Sequence, residues 1–139
     1  MKSLLTGDLS IMTTAELVSL FEKLSLAQAA AQEYFFTAKA NRHIRRRYQV
    51  LDELRHRAKD ERTELLPLYD HPHPAVRVNA ALGTYALDPP RARAVLEQLQ
   101  SPNYPWGVDA RMSLDKLRDG TSLLPSDPDY RQNVSAKPR

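Results

Sequence analysis

The chain of 139 residues has no cysteine. That excludes a disulfide framework, a thiolate metal site and a thiol nucleophile, and it fits a reducing compartment. Glycine is scarce, with four in all, and none of it forms a phosphate-cradling loop. The HExxH and GxSxG signatures are missing too. Carboxylate neighbours such as Asp52 and Glu53 fall on adjacent helix positions and point apart. Nothing here assembles a catalytic group, so the expectation is a non-enzyme without a cofactor. No apolar stretch is long enough to cross a bilayer, and Met1–Leu9, broken by Gly7 and Asp8, does not read as a secretory signal. A cytoplasmic protein with no membrane contact is expected.

What the chain does have is helix punctuated by proline. In Leu65–Leu99 an apolar end (Leu65, Leu66, Leu68, Tyr69) runs into Asp70-His71-Pro72-His73-Pro74. A second apolar segment follows, then Pro89-Pro90, then a third. The residue before a proline is pushed out of the helical region, so these prolines mark turns. Pro74 and Pro90 stand where a helix can begin. This pattern predicts a helix–turn–helix unit of the kind that stacks into solenoids.

Further helices flank this unit. Thr13 and Glu16 read as a capping box, and Leu17, Leu20, Phe21, Leu24, Ala27 and Ala31 follow at helical spacing. Tyr34-Phe35-Phe36 is read as the last turn of that helix and an anchor into the core. A second helix, from about 38 to 58, is given the apolar line Ala40, Ile44, Tyr48, Leu51, Leu54 and Ala58. A third, from about 62 to 69, keeps Pro67 inside it. The fourth, from Pro74 to Leu87, contains Gly83. A mid-helix glycine costs about 1 kcal/mol against alanine, which implies a close helix crossing. A fifth runs from Pro90 to Gln100, a loop covers Ser101 to Gly107, and a sixth runs from Val108 to Arg118 with Gly120 as its stop.

The net charge of +3 is unevenly spread. Residues 37–62 hold nine Lys or Arg against four Asp or Glu, so the basic character is one patch. Arg42, Arg45 and Arg46 share one helical face, extended by Lys39, while Arg47 points elsewhere. These arginines are candidate partner-binding residues, against the plainer reading of a solvated face with an internal Glu53–Arg57 pair. Asp70, His71 and His73 offer ligand-type side chains, but only three are local where zinc takes about four, so no metal is assigned. His71 and His73 remain candidates for partner contact. So do Tyr85, Tyr104 and Trp106, aromatics outside the clear core lines, with Trp106 equally readable as a lid over the last two helices.

With these residues in view, Leu65–Leu117 resembles HEAT-type repeats. There an Asp closing one helix and an Arg early in the next recur as a ladder; Asp70 and Arg77 match it, and Arg111 matches the second Arg. VLEQLQSP at Val95–Pro102 echoes LLPLYDHP at Leu65–Pro72, and DARMSL at Asp109–Leu114 echoes AVRVNA at Ala75–Ala80. The stretch Thr13–Gly120 is also similar to a small bacterial family catalogued as a domain of unknown function, through Thr13–Val18, Asp52–Arg55, Leu65–Arg77 and Asp109–Leu114. The resemblance implies an all-α fold, a compact HEAT-like stack (an α-α superhelix) of about six helices. The division is an arm at 1–12, a helical-repeat domain at 13–120 and an extended tail at 121–139. It carries no catalytic signature. The expected function is a protein-binding module, in its most specific form an immunity protein neutralising a bacterial toxin. The alternative is a nucleic-acid-binding module using the basic second helix. Asp70 and Arg77 are expected to brace the turn by meeting each other or neighbouring helix ends.

Overall fold

The first helix, α1 (Thr14–Glu33), begins at the capping box read from the sequence. The Thr13 hydroxyl accepts from the Glu16 N–H, and the Glu16 carboxylate accepts from the Thr13 N–H. The computed structural model describes residues 3–119. It continues with α2 (Thr37–His56), a 3₁₀ helix over Glu61–Asp70, α3 (Pro74–Thr84), α4 (Pro89–Leu99) and α5 (Pro105–Asp119). No strand occurs among the described residues, so the fold is an all-α stack. The expected stop at Gly120 and the tail at 121–139 lie outside them.

Helix α3 is the centre. It packs against α1, the 3₁₀ helix, α4 and α5, while α1 lies along α2. From Ala75 to Thr84 only Arg77 is not fully buried, as suits a helix enclosed on all sides. Its small residues let neighbours approach. A Cβ on Gly83 would fall 2.9 Å from Leu51 Cδ1, so the crossing inferred from that glycine is present. Leu17, Phe21 and Leu24 of α1, Val50 and Leu54 of α2, Leu65 of the 3₁₀ helix, Ala92 and Leu96 of α4 and Ala110 of α5 join it in the core.

Polar side chains tie this core together. Asn79 on α3 donates to Ser25 Oγ (3.0 Å) and Gln28 Oε1 (3.3 Å) on α1, and Arg47 on α2 donates to the same Gln28 oxygen (3.2 Å). The Thr84 hydroxyl donates to the Ala80 carbonyl (2.7 Å), which leaves its oxygen to accept from Tyr69 (2.5 Å). Buried polar groups paired in this way avoid a desolvation penalty and fix the register of the helices.

Three expectations are corrected. The inner line of α2 is Ala40, His43, Arg47, Val50, Leu51 and Leu54, while Ile44 and Tyr48 are half-buried. His43 fits inside because its Nδ1 donates to the Lys39 carbonyl (2.8 Å). The segment around Pro67 is a 3₁₀ helix. The last helix starts at Pro105, and Gly107 lies inside it against Ser101.

Candidate partner-binding surfaces

The arginine run of α2 divides three ways. Arg42 and Arg45 are exposed, as is Lys39, and none of the three forms an ion pair among the described residues. Arg47 is 4% exposed, its guanidinium 5.8 Å from the Phe21 ring centre and 5.2 Å from that of Tyr48. Arg46 is not a free surface cation: it donates to the carbonyls of Leu4 (3.4 Å) and Gly7 (2.8 Å) and to Gln49 (3.0 Å). It sits at the flank of α2, where the N-terminal arm passes. Arg57 holds the same arm through the carbonyls of Leu9 (3.2 Å) and Met12 (2.7 Å), while its Nε pairs with Glu53 at 3.0 Å as the sequence spacing implied. Between arm and α1 lies a cleft of about 490 Å³ whose walls include Leu4, Ile11, Met12, Leu20 and Lys23.

The proline-braced turn uses its polar groups internally. His71 Nδ1 accepts from the His73 N–H (2.9 Å), so the ring proton is on Nε2, which donates to Glu22 (2.6 Å). His73 caps α3, its Nδ1 accepting from the Ala75 N–H (3.0 Å). Both histidines therefore serve the fold rather than an open surface. Arg77 donates to the Tyr69 carbonyl (2.7 Å) and to Gln98 of α4 (2.8 Å), bracing the corner as expected. Asp70 is exposed and makes no ion pair with Arg77 among the described residues, so the bracing is one-sided. No three His, Asp or Glu side chains gather as metal ligands among the described residues. Just before the 3₁₀ helix, Asp60 receives a forked pair of bonds from Arg62 (2.8 and 2.7 Å), which holds its carboxyl below the usual carboxylate range.

Two apolar surfaces remain open. One is the α1–α2 turn, where Tyr34, Phe35 and Phe36 are all exposed, with Phe35 at 88%. The expectation that these rings anchor the core is wrong. Phe35 has φ +61°, in the left-handed region, where a bulky residue is uncommon, and this backbone turns the chain into α2 with its ring outward. Tyr34 and Phe36 stack at 6.2 Å. Sequence reasoning missed the site because aromatics usually mark a core; three in a row beside a charged segment was the available signal.

The other surface runs from the residue before α5 along that helix. Tyr104 (53% exposed), Val108 and Met112 (53%) recur every four residues and form one open stripe. Trp106 is half-buried against the core and stacks on Tyr104 at 4.8 Å, which makes it a support for the stripe. Tyr85 is half-buried and packed on the core, so it is not a surface anchor.

A search of curated proteins gives no match. Among solved structures, the chain is similar to the protein RPA1889 from Rhodopseudomonas palustris, at 39% identity over 85% of this chain and 98% of that one, with a TM-score of 0.78. Residues 15–118 match the model of a family described as a domain of unknown function, DUF2019. The described helices from α1 to α5 coincide with that span, and the chain belongs to the DUF2019 family.

Proposed function

We propose that this chain is a non-enzymatic, HEAT-like helical-repeat module that binds a protein partner in the cytoplasm, and that the partner is a bacterial toxin which it neutralises. The observation that carries the reading is the open stripe of Tyr104, just before α5, with Val108 and Met112 on α5, the last helix among the described residues. A helix face with anchors at this spacing suits docking of an apolar helix or groove. Its support by the stacked Trp106 supplies a rigid aromatic base, which lowers the ordering entropy lost on binding. Arg77, which bridges the 3₁₀ helix and α4, supports the repeat-like part of the reading. Nucleic-acid binding through α2 has weaker support, because Arg46 and Arg47 are turned away from the exposed row.

The test is co-expression with the product of the adjacent gene, followed by affinity capture and a growth assay. Capture and rescue are expected for the parent chain, and both should fail for Val108→Glu/Met112→Glu while the melting temperature stays within a few degrees. A double variant that captures and rescues like the parent would remove the stripe from the interface. Steep loss of DNA or RNA binding with added salt would favour the nucleic-acid reading instead.

A further inference from the structure

We infer that the aromatic turn between α1 and α2, together with the exposed cations that open α2, is a docking site for an anionic lipid surface. Tyr34, Phe35 and Phe36 form one contiguous apolar tip at the joined end of two helices packed along each other. The left-handed backbone at Phe35 leaves its ring with little contact to its own fold, so it is presented outward at no loss of core packing. A fluid apolar medium accepts three such rings without the fitted pocket a protein would have to supply. Tyr34, with its hydroxyl, suits the level of the lipid headgroups, and the wholly apolar Phe35 and Phe36 suit the acyl side of that boundary.

The charges are placed to match. Lys39 and Arg42 follow Phe36 by about 4.5 and 9 Å along the axis of α2 at 1.5 Å per residue. Amphipathic segments seat their apolar side about 5–10 Å into the headgroup and acyl boundary. With the start of α2 aimed at the bilayer, the rings reach the acyl boundary while Lys39 and Arg42 lie among the phosphates and Arg45 just above. Glu33 is the one acid in the sequence between Glu22 and Asp52, set against these three cations. Docking of this kind needs no spanning helix, and among the described residues no helix is long and apolar enough to cross a membrane. The expectation of no membrane contact rests on spanning segments and a signal peptide alone, and a peripheral site needs neither. This site is separate from the α5 stripe, so either assignment can fail alone.

The experiment is sedimentation of the full chain with vesicles of phosphatidylcholine containing about one quarter phosphatidylglycerol, beside vesicles of phosphatidylcholine alone. Binding is expected on the anionic vesicles, and it should fall sharply at about 1 M salt, where charges are screened beyond about 3 Å. Each of Arg42→Gln and Arg45→Gln should weaken it about five-fold. Phe35→Asn should weaken it about ten-fold or more, and asparagine accepts the left-handed backbone, so the fold is kept. Melting curves check that each variant is folded. No sedimentation with anionic vesicles, equal binding to both vesicle types, or a folded Phe35→Asn that binds like the parent overturns the proposal. So does loss of a protein partner on Phe35→Asn with no vesicle binding by the parent, which would assign the turn to a protein interface.

Discussion

Replacing Arg47 with alanine tests the inward phase of α2 directly. The side chain is 4% exposed, lies between the rings of Phe21 and Tyr48, and donates to Gln28. Truncation leaves a cavity comparable to a large-to-small core change, about 2–5 kcal/mol, and removes a charged hydrogen bond of about 1.5–3 kcal/mol. Against this, the guanidinium no longer has to be kept out of water, a desolvation penalty of several kcal/mol that the alanine form escapes. The net expectation is about 3 kcal/mol of lost stability, or about 10–15 °C in melting temperature for a domain of this size. Arg47→Met keeps the volume without the charge and should stay within about 1.5 kcal/mol of the parent. Arg46→Ala forfeits the bonds to Leu4 and Gly7, and at this half-buried site the loss is about 1 kcal/mol. Arg42→Ala and Arg45→Ala should move stability by less than about 0.5 kcal/mol. Calorimetric melting of the five variants gives the ordering. An Arg47→Ala chain that melts with Arg42→Ala would refute the inward phase of α2 and the core built on it.

Gly107→Ala should lower the melting temperature by several degrees, because its Cβ would come within 2.6 to 2.9 Å of Ser101 Cβ, O and N, and a backbone cannot yield as a side chain does. A calorimetric scan no different from the parent would show that the α4–α5 corner relaxes freely. Phe35→Asn should raise stability by about 1 kcal/mol, since asparagine tolerates φ +61° and the ring it removes is outside the core; urea titration reads the midpoint, and a loss would mean the ring supports the turn. Asp60 has its carboxyl lowered mainly by the Arg62 side-chain bond. Its contribution to stability is therefore present above the unfolded carboxylate pKa and is lost as the pH falls through the lower folded value. Asp60→Asn should flatten the acid side of the stability–pH curve, and unchanged acid sensitivity in melts from neutral to acid pH would count against the pairing.

The elements with local chemical signals were legible in the sequence. Thr13 with Glu16, Pro74 at a helix start and Gly83 at a crossing each state their role through a hydrogen bond, a fixed dihedral or a missing Cβ. The inward face of α2 was not legible, because hydrophobic periodicity reads arginine as outside. Ala40, Val50 and Leu54 define a stripe that passes through His43 and Arg47, and only tertiary partners such as Gln28 make that stripe acceptable. Phe35 hid its site for a different reason: a left-handed turn is written in glycine or asparagine, and here the code is absent. The α5 stripe is half legible: the aromatic Tyr104 stands out, but Val108 and Met112 carry no polar signal, and helical spacing starts the last helix at Val108, three residues after its start at Pro105.

The N-terminal arm is gripped at the carbonyls of Leu4, Gly7, Leu9 and Met12, and its captors are Arg46 and Arg57. A main-chain carbonyl looks the same whichever residue carries it. Mutational drift is thus tolerated at the exposed arm positions such as Thr6 and Ser10, whereas Leu4, Leu5, Leu9 and Met12 also pack on the core and each captor is answerable for two bonds at once. Lysine could not replace Arg57, whose planar fork reaches Glu53 and two carbonyls together. The arm's position is therefore inherited through Arg46 of α2 and Arg57 just after it, while Leu4, Leu5, Leu9 and Met12, packed on the core, limit which segments could take its place.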